Sequence, residues 1–182
     1  MSETDSGERQ SLTGAIDRLL FLDIAGAEVA RAKRYRSPLS GLLIDVVHFK
    51  PVDDANGLAA EDLVLQHFLS VCRSTLRAPD YIGRIGGEEF AIMLPETLLL
   101  NALGVAERIL ENLAASTADA SQRHLSATAS IGAVEYADQM GSLDRLLQAA
   151  RVAMHDAKQN GRNQAVCYLD DVQLMSNPAA IN

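Results

Sequence analysis

The residues of this chain best suited to chemistry are three acids in two places. Glu88 and Glu89 sit in the stretch Arg84-Ile85-Gly86-Gly87-Glu88-Glu89-Phe90, and Asp45 lies in the apolar run 39–47. Two glycines between the strand-like segments 81–82 and 91–94 supply the positive φ of a tight turn, which residues with a Cβ adopt only at a cost. The stretch therefore predicts a β-hairpin with two carboxylates at its tip. Neighbouring strand residues point to opposite faces, so Glu88 and Glu89 cannot both pack in the same way, and one of them faces a site. A carboxylate inside an apolar strand, as at Asp45, is costly unless it is paired. Placed beside the hairpin, that strand brings Asp45 up to the acids of the tip. Converging carboxylates repel until a proton or a cation relieves them. A hard, oxygen-liganded cation such as Mg²⁺ fits, because it is held by a few carboxylates together with substrate phosphates. A purely structural turn, with Asp45 bonded locally at a strand end, is the alternative these residues leave open.

The elements that position the acids follow from periodicity. Apolar residues at helical spacing (Ile16, Leu19, Leu20, Ile24, Ala27, Ala30) predict a first helix from 15 to about 35, broken by Ser37-Pro38. Residues 39–47 read as a strand buried on both faces. A loop over 49–56 carries Pro51 and Asp53-Asp54 and closes at Gly57. A helix over 59–76 follows (Leu63, Val64, His67, Phe68, Val71, Cys72), stopped by Pro79. After the hairpin come a helix over about 98–115, a polar loop over 116–123 and a strand within 125–136. A helix capped by Ser142 then runs to about 159 and ends at Asn160-Gly161. A last strand spans 165–169. The expected order contains β-α-β-β-α-β, so the fold class is α/β (α+β), with a ferredoxin-like core of the nucleotidyl cyclase and polymerase palm type.

Composition bounds the reading. The 182 residues suit one domain, expected over 11–169, with 1–10 and 170–182 as loose tails. The net charge of −8 argues against a nucleic-acid polymer or an anionic membrane as partner. No apolar run nears the ~20 residues of a membrane span, and the polar N-terminus is unlike a secretion signal, so the expected location is cytoplasmic. Cys72 and Cys167 have no metal-like spacing and read as small buried residues in a reducing compartment.

Gly86 to Phe90 reads GGEEF and resembles the signature of the GGDEF family of diguanylate cyclases. Four further matches occur in order: Ile44-Asp45-Val46-Val47-His48-Phe49-Lys50, Ala106-Glu107-Arg108-Ile109, Ser130-Ile131-Gly132, and Ala157-Lys158-Gln159-Asn160-Gly161-Arg162-Asn163. Ser11-Leu12-Thr13-Gly14 is similar to the family's approach to its first helix, and the resemblance covers roughly 12–168. It implies condensation of two GTP into cyclic di-GMP with release of pyrophosphate, one GTP being held in each half of a homodimer. It implies Mg²⁺ (or Mn²⁺) on Asp45, the carbonyl of Val46, Glu88 and Glu89. Lys50, Lys158 and Arg162 are implied as phosphate partners, Asp53 and Asp62 as the guanine pocket, and Gly86 and Gly87 as points of close approach to the nucleotide. Glu88, Glu89 and Lys50 are the implied catalytic groups, with Glu89 assisting proton removal. Arg77-Ala78-Pro79-Asp80 resembles the family's RxxD inhibitory site. Arg77 and Asp80 could read guanine on the product, while a local ion pair is the plainer reading.

The chain departs from the family at Val47 (commonly Asp), Asp53 (Asn), Leu58 (His) and Glu61 (Gly). Ionised Asp accepts hydrogen bonds but donates none, so weaker GTP binding is expected. Two functions therefore stand side by side: an active cyclase, or a catalytically weak domain that binds cyclic di-GMP or GTP as a regulatory module. Family catalytic domains usually follow a sensory module, and none fits in the short N-terminus here.

Overall fold

The computed structural model describes residues 15–48, 57–116, 118–120 and 123–169. Asp17 starts the first helix. Its carboxylate accepts the backbone N–H of Leu20 at 3.1 Å, and α1 runs Arg18–Tyr35 until Arg36 turns left-handed at φ 52° ahead of Pro38. Just upstream, Ile16 is not helical. Its N–H donates to the carbonyl of Ile82, its carbonyl accepts from Arg84 N–H, and so it covers a sheet edge. The buried face of α1 also differs from the one the spacing suggests. Phe21, Ala25, Val29 and Ala32 are inside, whereas Leu19 and Leu20 are 75% and 50% exposed. The deciding contact is Phe21 over Gly83: a Cβ on Gly83 would fall 2.4 Å from the Phe21 ring, so the missing side chain is the socket for that ring.

The sheet follows from β1, Leu39–His48, which lies at its centre. After α2 (Gly57–Thr75) come β2 (Tyr81–Gly86) and β3 (Glu89–Pro95), then α3 (Leu99–Ala114). Two short strands, β4 (Ala118–Ala120) and β5 (Arg123–Leu125), pair antiparallel with each other. The chain continues through β6 (Ala127–Glu135), a 3₁₀ turn at Asp138–Met140, α4 (Leu143–Gln159) and β7 (Gln164–Cys167). The five-stranded sheet has the order β2-β3-β1-β6-β7, antiparallel throughout except for the parallel β6–β7 pair. The ferredoxin-like core is present, with β7 added at one edge.

Alternation along β1 sends side chains to two separate cores. Leu42, Ile44 and Val46 join Phe68, Phe90, Ile92, Ile109 and Ile131 under α2 and α3, where Phe68 and Phe90 meet at 5.0 Å between ring centroids. Leu39 and Leu43 join Phe21, Met93, Leu146 and Met154 under α1 and α4. Asp45 continues the second series, so it emerges on the α4 side.

Three further expectations are corrected. The polar segment 116–123 is not all loop, since β4 and the first residue of β5 fall in it. A two-stranded ribbon draws on backbone pairing and leaves little trace in apolar pattern. Of the two cysteines only Cys72 is buried; Cys167, on edge strand β7, is partly exposed. The start of the first helix moves from 15 to Arg18, because Asp17 caps it. The expected tails, Lys50 and Asp53 all lie outside the described residues.

Candidate functional site

The GGEEF stretch forms the predicted hairpin. Gly86 pairs with Glu89 across a two-residue turn of Gly87 and Glu88, with a register shift between Arg84 and Gly86. Only Gly87 needs the left-handed region, at φ 48°, the first central position where such turns take glycine. Arg84 is 8% exposed and donates from Nε to the Gly87 carbonyl at 2.8 Å, bracing the turn from within its own strand. The β1 edge braces it from the other side: Val46 N–H donates to the Glu88 carbonyl at 3.1 Å. Among the described residues a Cβ built on Gly86 or Gly87 meets nothing within 4 Å, so packing within the described part does not account for either glycine.

The pairing of β1 with β3 sets Asp45 directly opposite Glu89. Directly opposed residues of an antiparallel pair share a face, with Cβ atoms roughly 5 Å apart. The two carboxylates therefore stand together at the end of the α4-side core, with side chains 15% and 27% exposed. Helix α4 answers each with a cation. Lys158 Nζ lies 3.0 Å from Asp45 Oδ2, and Arg151 Nη1 lies 2.8 and 3.2 Å from the two oxygens of Glu89. Seven residues separate the cations, about two helical turns, which puts them on one face of α4.

Helix α4 reaches this position because Gly132 lets it approach the sheet. A Cβ on Gly132 would fall 2.0 Å from the Ala150 carbonyl oxygen and 2.4 Å from the Met154 nitrogen, both backbone atoms. Ser142 caps the helix at its start, accepting Arg145 N–H. At its end Gly161 takes φ 111° and Arg162 N–H reaches back to the Ala157 carbonyl at 2.9 Å, the six-to-one bond of a Schellman cap. Arg162 is thereby held at φ 62° on the surface beyond Lys158.

Among the sequence-derived site residues, the structure brings together Asp45, Glu89 and Lys158. Glu88 occupies the turn, partly buried, and among the described residues no group of three acids, histidines or cysteines gathers in a metal-like cluster. Asp62 lies on α2, partly buried, next to Glu61. Ser130 stands opposite Asp45 on the other flank of β1. It is 1% exposed, and its hydroxyl finds no hydrogen-bond partner among the described residues. Two opposed carboxylates, a buried hydroxyl beside them and a turn that no described residue crowds fit a small hard cation such as Mg²⁺, which takes one or two protein carboxylates and completes its shell with phosphates and water. Arg151 is the site residue that sequence reading missed. Its signal was the i, i+7 relation to Lys158, legible only once the α4 face toward the acids is known.

The RxxD stretch forms a separate feature. Asp80 N–H donates to the Arg77 carbonyl at 3.0 Å, and the Asp80 carboxylate accepts Arg77 N–H at 2.8 Å and its Nη2 at 3.1 Å. The local ion pair is thus formed. Arg77 Nη2 also donates to Thr97 Oγ1 at 2.8 Å. The Asp80 side chain is 1% exposed, whereas that of Arg77 is 56% exposed. Beside them a cleft of about 330 Å³ is lined by Ile16, Arg73, Leu76, Tyr81 and Ile82 as well as the pair.

A family model described as "Diguanylate cyclase, GGDEF domain" matches residues 9–164. The response regulator PleD of Caulobacter vibrioides is 36% identical over 160 residues, covering 87% of this chain and 33% of PleD. The diguanylate cyclase SiaD of Pseudomonas aeruginosa, solved with its activator SiaC, superposes with a TM-score of 0.80 at 33% identity, over 90% of this chain and 63% of that one. An active GGEEF domain of a diguanylate cyclase from Vibrio cholerae superposes with a TM-score of 0.74 at 30% identity, over 85% of this chain and 98% of that one. The chain spans about a third of the length of the first curated relatives it matches.

Proposed function

Because the chain belongs to the diguanylate cyclase GGDEF domain family, we propose that it condenses two GTP into cyclic di-GMP, as a Mg²⁺-dependent homodimer holding one GTP in each half. The observation that carries this reading is the direct opposition of Asp45 and Glu89 beside a glycine turn that no described residue crowds. Mg²⁺, or Mn²⁺ in its stead, would be held by Asp45, the Val46 carbonyl, Glu88 and Glu89, and would supply charge neutralisation to the entering and departing oxygens. Gly86 and Gly87 admit the nucleotide close to the backbone. Lys158 and Arg162 neutralise phosphate oxygens, joined by Lys50, and Asp53 with Asp62 takes the guanine edge.

In the reaction the 3′-hydroxyl of one GTP attacks the α-phosphorus of the other, the bond to the bridging oxygen breaks and pyrophosphate leaves; the reciprocal attack then closes the ring and releases a second pyrophosphate. Glu89 assists removal of the hydroxyl proton. Cyclic di-GMP then feeds back at the cleft beside Arg77. Its half-exposed guanidinium meets the guanine, while buried Asp80 anchors it. The cyclase domain spans 11–169 and works in the cytoplasm.

Incubation with GTP and Mg²⁺, followed by detection of cyclic di-GMP, tests the proposal, with Glu89→Ala as the inactive control. Absence of product at high protein concentration refutes it. Activity should rise faster than linearly with protein concentration; a strictly linear rate through dilution contradicts assembly of the active dimer from monomers. Arg77→Ala should relieve product inhibition. The altered residues Asp53, Leu58 and Glu61 favour one further reading, a weak or inactive domain that binds cyclic di-GMP or GTP as a regulatory module. Binding without turnover distinguishes it, and under the cyclase reading Asp53→Asn should lower KM for GTP.

A further inference from the structure

The two cations on α4 do not treat their acids alike. Lys158 touches one oxygen of Asp45, but Arg151 presents a single nitrogen to both oxygens of Glu89, at 2.8 and 3.2 Å. That nitrogen occupies the mouth of the carboxylate, the place from which a divalent cation would draw both lone pairs. A guanidinium and a metal ion cannot occupy that mouth together. We propose that Arg151 is a competitor for the divalent cation at Glu89, so that metal binds only by breaking the Arg151–Glu89 pair and Arg151 sets the concentration of metal at which the site fills.

The geometry makes the competition reversible. The Arg151 side chain is 52% exposed, so its guanidinium can swing into water without a buried charge being left behind, whereas Glu89, 27% exposed and fixed on β3 opposite Asp45, stays. A half-exposed ion pair is weak, so it tunes metal affinity without abolishing it. The inference rests on the reading of Glu89 as a metal ligand, and the experiment separates the two.

Binding of Mn²⁺ alone to the full chain is followed by the electron paramagnetic resonance signal of the free ion, for the unaltered protein, Arg151→Gln, Arg151→Lys, Glu89→Gln and the double variant Arg151→Gln/Glu89→Gln. Removing a competing charge from a site of this exposure should tighten Mn²⁺ binding by roughly three- to tenfold in Arg151→Gln. Arg151→Lys should stay near the unaltered protein. Glu89→Gln should weaken binding, and adding Arg151→Gln to it should bring no further tightening. If Glu89→Gln weakens binding while Arg151→Gln leaves it unchanged or weaker, Arg151 is not a competitor and the metal reading survives. If Glu89→Gln binds Mn²⁺ as well as the unaltered protein does, or if no variant binds it, the metal reading falls and the competition falls with it.

Discussion

Replacing Gly132 by alanine adds one methyl group at the point where α4 and the sheet touch. The added Cβ would lie 2.0 Å from the Ala150 oxygen and 2.4 Å from the Met154 nitrogen, and neither is the end of a flexible side chain that could turn aside. To restore ordinary contact the helix backbone must withdraw by about 1.4 Å, the kind of strain that close-packed interiors absorb poorly. Overpacking of this order costs about 3 kcal/mol. For a domain of this size that lowers Tm by roughly 6–12 °C. The same displacement carries Lys158, one turn past Met154, away from Asp45, which it now touches at 3.0 Å. A misplacement of about 1 Å in such a site costs on the order of a hundredfold in rate. Cyclic di-GMP formation by Gly132→Ala should therefore fall by about that factor when assayed well below its own Tm. Gly26→Ala is the control. It lies in α1 with nothing among the described residues within 4 Å of the added Cβ, and should stabilise the protein by roughly 0.5–1 kcal/mol without loss of activity. A Gly132→Ala protein with unaltered Tm and turnover would refute the claim that this glycine sets the helix position.

Three other outcomes are expected. Asp80→Ala removes a buried acceptor of the Arg77 backbone and guanidinium, and should cost about 1–3 kcal/mol in urea unfolding together with the loss of product inhibition. Glu135→Ala strips the carboxylate that accepts Leu99 N–H at 2.7 Å, the cap of α3 supplied from β6, and should lower stability by about 1 kcal/mol. Burial pushes the Cys72 thiol well above its ordinary value, so the native state keeps its proton where the unfolded chain loses it. Stability should be unaffected by this group below about pH 8.5 and fall above it by up to ~1.4 kcal/mol per pH unit. Urea midpoints measured across the alkaline range should decline less steeply in Cys72→Ala, and equal slopes would contradict this.

The hairpin and Asp45 were legible because they depend on local rules. Glycines announce a turn, and an acid inside an apolar strand announces a partner. Their meeting was legible too, since a β-α-β-β order leaves the first strand beside the hairpin. The cations were half legible. Lys158 was expected to face phosphates, but its contact with Asp45 depends on the depth to which Gly132 lets α4 settle, a property of two segments and not of either. Arg151 depends on the same depth and carries no local mark. The face of α1 was misread for a related reason: Leu19 and Leu20 match helical spacing as well as Phe21 and Ala25 do, and only the vacancy at Gly83 selects the latter. The ribbon of β4 and β5 escaped because strands of three residues held by backbone pairing are too short to leave an alternating apolar pattern.

The central place of β1 has a consequence for how the protein comes into being. Both of its neighbours are encoded later: β3 begins at Glu89 and β6 at Ala127, while β1 has ended by His48. Among the strands of the sheet β1 is thus the first to be made, and it is not flanked on both sides until β6 follows. Contacts of such sequence separation slow folding, and an unpaired strand edge invites pairing with other chains. During synthesis residues 39–47 are the segment most prone to mispairing, and the ribosome must release β6 before the strand that carries Asp45 is closed in.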